Sequence, residues 1–160
     1  MKNLILVAVL LLIVSSLSFG QSASANVTAN VTAALTIVKT NDLALGTVTR
    51  GSSVTVASNN AAAAAFTITG IATSQATVTI SSLANLTSGS YTMPFTQQTP
   101  IYNTTNSQSG TTDFGALTGG IASTNSDGNL WVWFGGRVTA SPGQAAGSYS
   151  GTINVSVTQP

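Results

Sequence analysis

Apolar and polar residues alternate with a period of two along most of this 160-residue chain. The alternation is longest near the start, where the odd positions from 27 to 37 are apolar and the even ones are mostly Asn or Thr. A period of two is typical of a half-buried β-strand, because successive side chains of a strand point to opposite faces. The pattern therefore predicts a long first strand over 26–38.

Shorter segments alternate in the same way, and Gly, Asn and Pro separate them at spacings of about 10 residues. A turn is expected at 39–42 and a loop at 61–65, while 97–128 gives the weakest signal. Many short strands with turns between them favour an all-β, immunoglobulin-like sandwich without a helix of consequence. The other predicted strands are 43–49, 53–58, 66–70, 77–83, 91–96, 113–117, 129–140 and 149–158.

The first 25 residues have the pattern of a secretory signal peptide. Lys2 precedes an apolar run over 4–14, and small polar residues lead to an Ala-Ser-Ala site at 23–25. Cleavage is expected after residue 25 or after Gly20, and the apolar run is shorter than the roughly 20 residues of a membrane helix. We expect a secreted chain at the cell surface, with no membrane anchor once the leader is removed. The expected parts are a signal peptide (1–25), an N-terminal extension (26–34) and a sandwich domain (35–160).

Composition narrows the function classes. The chain has no His, no Cys, four Lys plus Arg and three Asp plus Glu. These counts exclude Ser-His-Asp and Cys-His catalysis, the usual zinc sites and haem ligation, so we expect no enzyme, no metal and no cofactor. Nucleic acid is not an expected partner, because its binding needs a basic surface. The segment 125–129 resembles a calcium loop but lacks the acidic twelfth ligand, so a turn is expected there.

Four short motifs occur in order and carry a family resemblance. They are LALG at 43–46, AFTITG at 65–70, GG at 135–136 and GSYSGTINV at 147–155. Together they resemble a family of exported bacterial immunoglobulin-like β-sandwich proteins of unknown function, similar to fimbrial (pilin) subunits. The resemblance covers about 43–158. It implies a surface or filament role and supplies no catalytic residues.

The segment 26–34, here called the arm, is the main candidate for an interaction with another molecule. A strand over 26–38 would extend about 43 Å, whereas sandwich strands usually have five or six residues. We expect Leu35 and Ile37 to start the domain's own sheet, and the arm to add a strand to an open sheet of a neighbouring subunit. The alternative is a bent first strand that crosses between the two sheets of its own sandwich. The projecting apolar positions are Val27, Ala29, Val31 and Ala33.

Two tryptophans form a second candidate site. Trp131 and Trp133 alternate with Leu130, Val132 and Phe134, so both are expected to face away from the core. An exposed pair of this kind needs a cover. We expect a subunit interface there; a packing layer under 97–128 and a sugar-stacking platform are the alternatives.

These observations favour a structural subunit of an extracellular filament. The expected partner is a second copy of the chain, joined through the arm by donor-strand complementation, with an export or assembly chaperone as a further potential partner. Near-neutral, hydroxyl-rich faces suit such a homopolymer, because stacked copies of a highly charged subunit would repel each other. The competing hypothesis is a monomeric secreted binding module or adhesin, with carbohydrate bound at the tryptophans.

Overall fold

The computed structural model describes residues 35–160 and, before them, only Asn26 and Thr28. Residues 35–160 form twelve β-strands and no helix, and every strand pair is antiparallel. The predicted all-β sandwich is confirmed. The strands are β1 (Thr36–Asn41), β2 (Ser53–Val56), β3 (Ala64–Thr69), β4 (Gln75–Ile80), β5 (Asn85–Ser88), β6 (Tyr91–Gln97), β7 (Ile101–Asn103), β8 (Thr112–Asp113), β9 (Gly120–Ser123), β10 (Asn129–Phe134), β11 (Gly136–Thr139) and β12 (Val155–Thr158).

The first layer is a five-stranded sheet in the order β1-β3-β10-β7-β8. β10 lies along β3 from Asn129 opposite Thr69 to Phe134 opposite Ala64. β1 pairs with the other side of β3, and its register shifts by a bulge next to Asn41. In the described part of the chain, β1 is therefore an edge of this layer.

The second layer consists of two sheets, ordered β2-β11-β6-β5 and β12-β4-β9. The segment 147–158 connects them, because Ser150 forms an antiparallel bridge with Thr87 of β5 and Val155–Thr158 then pairs with β4. The segment 147–158 is thus a border of the second layer, as β1 is of the first.

Two apolar clusters fill the space between the layers. The first joins both layers, because Ile68 and Leu130 of the five-stranded sheet pack with Val78 and Ile80 of β4. The buried members of the second cluster lie in β5, β6, β11 and the residue after β11, so they share one sheet. That sheet is covered in part by side chains from 43–48 and 149–153. The second buried set is Leu86, Met93, Phe95, Val138 and Ala140.

Gly135 lets the chain pass from one layer to the other. The sequence predicts one strand over 129–140, but β10 ends at Phe134 in the first layer and β11 begins at Gly136 in the second. A Cβ on Gly135 would overlap the carbonyl oxygen of Val56 and lie 2.7 Å from the carbonyl carbon of Ala57. The predicted single strand is therefore wrong, and the close approach of two backbones explains the break.

Both ends of the described domain meet at Gly70. A Cβ there would lie 2.8 Å from Leu35 Cδ1 and would overlap the side chain of Gln159. The Ile71 N–H donates to Gln159 Oε1 at 2.8 Å. Leu35, the first residue after the arm, therefore lies at the same end of the domain as Gln159, which follows the last strand.

Several predicted boundaries need correction. The turn expected at 39–42 is wrong, because β1 continues to Asn41, whose amide donates to the carbonyl oxygens of Ala61 and Ala63. The segment 43–49 is not a strand, and 149–158 is a regular strand only from Val155. Within 35–160, residues 43–49 have no ladder partner, and of residues 149–154 only Ser150 forms a bridge, with Thr87.

The polar stretches of the sequence contain short strands that the alternation of apolar and polar residues does not predict. β5, β7 and β9 were not predicted, since each has only three or four residues. A proline usually restricts its strand to an edge or a bulge, but β6, which contains Pro94, lies inside its sheet between β11 and β5. The ladder with β11 ends at Phe95, so the missing N–H of Pro94 leaves no gap on that side.

The predicted signal peptide (1–25) and most of the arm (26–34) lie outside the described residues. The expected boundaries at residues 20, 25 and 34 therefore stay predictions. A search of the described residues finds no helix long and apolar enough to cross a membrane.

Candidate functional site

A deep groove of about 820 Å³ opens on one side of the domain. One wall is the segment 43–48, which continues from β1, and the other wall is the segment 147–153, which leads into β12. The groove therefore lies where the border of the first layer faces the border of the second. We call it the border groove.

The floor of the border groove is apolar and comes from both layers. Phe66 and Phe134 stack with ring centroids 5.9 Å apart at the end next to the first layer. Leu86, Met93 and Phe95 of the second cluster form the rest of the floor. Leu86, Met93, Phe95 and Phe134 are only 2–7% exposed, so the two walls already cover most of this floor, and the part of the floor that remains open is apolar.

The first wall is an extended segment with little main-chain pairing. Leu43, Leu45 and Val48 are partly buried and point towards the second cluster. The Ala44 N–H donates to Ala62 O at 2.9 Å, and residues 45–48 make no main-chain hydrogen bond to another main-chain group in 35–160. The alternation of a strand therefore holds for Leu43 and Leu45 and breaks at Gly46, whose φ is +68°, so that Val48 faces the cluster and Thr47 is exposed.

The second wall pairs on one side only. Ser150 exchanges both main-chain hydrogen bonds with Thr87, at 2.8 and 2.9 Å. Tyr149, Gly151 and Ile153 make no main-chain hydrogen bond to another main-chain group of the described domain. An extended edge with open donors and acceptors is the feature to which an additional strand binds.

Polar side chains from both walls line the border groove beside its apolar floor. The Lys39 ammonium and the Asp42 carboxylate form an ion pair at 2.6 Å, but their side chains are 54% and 80% exposed. The Tyr149 hydroxyl donates to Ala145 O at 2.9 Å and accepts from the Gln144 amide at 2.6 Å. The ion pair and the Tyr149 hydroxyl thus have partners within the domain, and the apolar contacts of the groove come from its floor.

The predicted arm residues are not placed by the structure. Val27, Ala29, Val31 and Ala33 all lie outside the described residues, so their assignment to a subunit interface stays a prediction. What sequence reasoning missed is the border groove. Its signal was present in two alternating segments, 43–49 and 149–158, but alternation alone does not show whether a strand has neighbours on both sides.

The two tryptophans lie on the face of β10 opposite the main core, as expected. Trp133 is only 5% exposed, because it packs with Ala65 and Ile101 in a small cluster, and Trp131 is partly buried against that cluster. The expectation of an exposed pair is therefore wrong for Trp133. Their role at a subunit interface stays a prediction.

The segment 125–129 forms the expected turn. Asn125 Oδ1 accepts hydrogen bonds from the N–H groups of Asp127 and Asn129, at 3.0 and 2.8 Å. The side-chain oxygen is thus used to close the turn, as Asx turns do. This local bonding accounts for the Asn-Ser-Asp-Gly-Asn pattern without a bound cation.

Residues 13–158 match the family model described as a domain of unknown function, DUF4402. The chain belongs to the DUF4402 family. The match includes both walls of the border groove and all twelve strands. No curated protein matches the chain, and no solved structure does.

Proposed function

We propose that this DUF4402 protein is a secreted structural subunit of an extracellular filament, joined to its neighbours by donor-strand complementation. The arm of one molecule lies in the border groove of the next and completes its sandwich. The observation that carries the proposal is the border groove itself, in which an apolar floor lies between two main-chain segments, most of whose residues make no main-chain hydrogen bond to another main-chain group within 35–160.

The dimensions of the arm and the groove agree. The wall 147–153 would span about 23 Å as an extended chain and the arm 26–34 about 30 Å, so the arm is long enough to follow this wall. Small apolar side chains at every second arm position suit a floor of large side chains such as Phe95 and Met93. Each valine contributes about 1.5 kcal/mol or more when fully buried, and each main-chain hydrogen bond about 1 kcal/mol.

A second candidate function rests on the outer face of the first layer. Trp131 is partly exposed there, and Val38, which is 57% exposed, lies in the same cross-strand row with Thr67 between them. Such a row would suit a monomeric adhesin that stacks a sugar ring on Trp131. Loss of a glycan-induced fluorescence change in Trp131→Ala, in a protein that stays monomeric, would favour this function over the filament.

Removal of the arm tests the filament proposal. The processed chain beginning at residue 26 is expected to form oligomers and, at high concentration, fibres visible by negative-stain microscopy. A chain beginning at residue 35 is expected to stay monomeric, because its groove has no donor. Equal monomeric elution and equal stability of the two chains would contradict the proposal.

A synthetic arm peptide supplies the matched control. Added to the chain beginning at residue 35, the peptide 26–34 should raise its thermal midpoint, since a ligand at 100 times its Kd stabilises by about 2.7 kcal/mol. A peptide with Ser at positions 27, 29, 31 and 33 keeps the main chain but loses the apolar side chains. It should leave the midpoint unchanged; equal shifts with both peptides would argue against filling of the apolar floor.

A further inference from the structure

We propose that the arm enters the border groove in one register and one direction, antiparallel to residues 149–153 of the receiving molecule. This inference rests on the proposed function and adds the pairing between the two chains. The opposed pairs are Ala29 with Ile153, Val31 with Gly151 and Ala33 with Tyr149.

The main-chain hydrogen bonds of the second wall decide which residues face the groove. Ser150 directs its N–H and C=O to Thr87, and Asn154 directs its C=O to the Ser81 N–H at 2.8 Å and its N–H to Ser81 Oγ at 2.8 Å. Both residues therefore point towards β5 and β4. Because consecutive residues of an extended strand point to opposite edges, the odd residues from 149 to 153 direct their N–H and C=O groups into the groove.

Side-chain parity then limits the possible registers. Tyr149 and Ile153 also turn their side chains towards the core, where both are partly buried. Directly opposed residues of an antiparallel pair project on the same face of the sheet. The arm residues opposite them must therefore be the apolar odd ones, so that Asn and Thr face water. A shift by one residue would bury polar side chains, and the remaining registers differ by steps of two.

Side-chain size selects among these registers. Gly151 has no side chain and lies between two large residues, Tyr149 and Ile153. With Val31 opposite Gly151, each large residue faces an alanine of the arm. A shift by two in one direction would place Val27 and Val31 opposite Ile153 and Tyr149, and a shift in the other direction would place Val31 and Leu35 there, so either shift crowds both positions.

The more distant registers use residues that are not available. With Val27 opposite Gly151, Ala25 would face Ile153, and the expected cleavage after residue 25 removes it. With Leu35 opposite Gly151, the donor would have to withdraw Leu35 from its own domain, where it packs against the main core. The central register is the one that uses only the arm.

The antiparallel direction of the arm is inferred from the strand pairs within the domain. All strand pairs of 35–160 are antiparallel, and antiparallel pairing is slightly more stable per residue than parallel pairing. In this direction the donor molecule lies beyond residue 147 of the receiver. The receiver's own arm leaves at the other end of the last strand, beside Gln159 and Gly70. The contact is therefore head-to-tail, and it propagates as a linear polymer.

Disulfide trapping tests the register directly, because the chain contains no cysteine of its own. Three double variants of the processed chain are compared: Ala29→Cys with Ile153→Cys, Ala33→Cys with Tyr149→Cys, and the mismatched Ala29→Cys with Tyr149→Cys. After assembly and mild oxidation, the two matched variants are expected to give ladders of covalent oligomers on non-reducing gels. The mismatched variant should run as a monomer. Reduction should collapse both ladders.

Each outcome has a separate meaning. A ladder from the mismatched variant and from neither matched variant would overturn the proposed register and direction, because Ala29 faces Tyr149 when the arm enters in parallel. Oligomers by light scattering without any covalent ladder would overturn this inference but leave the filament function standing. Absence of oligomers from the unsubstituted processed chain would refute the filament function itself. Circular dichroism of each variant confirms folding, and the two matched pairs guard against one misfolded variant.

Discussion

At the residue scale, a hydrogen bond between Ser58 and Gly135 stabilises the place where the chain passes from one layer to the other. Ser58 is 7% exposed, and its hydroxyl donates to Thr99 O at 2.7 Å and accepts from the Gly135 N–H at 2.9 Å. The hydroxyl thus replaces ladder bonds where the chain passes between sheets. A buried N–H left without such a partner costs free energy.

Ser58→Ala is therefore expected to lower the free energy of unfolding by about 2 kcal/mol, because the Gly135 N–H and the Thr99 carbonyl both lose a partner. Ser52→Ala is the control. Its hydroxyl also donates to a carbonyl, Thr49 O at 2.6 Å, but in an exposed turn where water can replace it. Urea unfolding should show a clear loss for Ser58→Ala and little change for Ser52→Ala. Equal losses would mean that burial of Ser58 does not matter.

Gly135→Ala is expected to destabilise the domain by about 3 kcal/mol, because overlap with the backbone of 56–58 forces one of the two chains to move. Gly143→Ala is the matched control, since a Cβ there meets no atom within 4 Å. Urea unfolding measures both. A Gly135→Ala domain as stable as Gly143→Ala would show that the crossover is loosely packed.

At the element scale, β10 presents different surroundings to its two tryptophans. Single-tryptophan variants make this difference measurable by acrylamide quenching. Trp131→Phe leaves only Trp133, which is 5% exposed and should be quenched weakly, whereas Trp133→Phe leaves the more accessible Trp131. Stronger quenching of Trp133 than of Trp131 would contradict the cover provided by Ala65 and Ile101.

The sequence predicts elements well where burial alternates within one chain. The alternation of Leu130, Val132 and Phe134 identified β10 and its core face, because all three are nearly inaccessible to water. The same logic failed at 43–49, which alternates like a strand but has no ladder. Side-chain periodicity reports which face is buried, whereas a ladder depends on a neighbour that the pattern of one segment does not contain.

For the same reason, only one of the two parts of the candidate site could be predicted from the sequence. The donor was recognisable, because 26–34 repeats a strand pattern beyond the length that a sandwich strand uses. The acceptor was not, since Gly151 and Ser150 form a wall of the groove only after Thr87 has taken one edge of that segment. The change of layers at Gly135 was also missed, because the apolar pattern runs through it to Val138 without interruption.

At the scale of the whole molecule, the position of the arm's origin argues against filling of its own groove. Leu35 lies beside Gly70, whereas the border groove begins near Lys39, about 13 Å further along β1. An arm of nine residues would have to reverse direction and cover that distance before reaching the apolar floor. Only a few residues would then remain for pairing, so a neighbour's arm has the advantage.

A donor strand of the same chain would reach the border groove more easily if it followed the last strand than it does from its place before β1. A copy of residues 24–34, joined after Pro160 through a short Gly/Asn turn, would run back along 147–158 as the second strand of a hairpin. In the proposed register this copy brings Ala29, Val31 and Ala33 to the border groove. With residues 26–34 deleted from the start, this fused chain is expected to be monomeric. Its thermal midpoint should exceed that of the chain beginning at residue 35.

The control is the same fused chain with Val31→Asp in the appended copy, because a carboxylate has no partner on the apolar floor and its burial is costly. This variant should melt near the chain without any donor, while a Thr32→Asp copy, whose side chain faces water in the proposed register, should keep most of the gain. Equal midpoints for the fused chain and its Val31→Asp variant would show that the copy does not enter the groove. Equal losses from Val31→Asp and Thr32→Asp would show that the appended copy binds in the groove but that positions 31 and 32 do not face opposite sides. The proposed register would then be wrong.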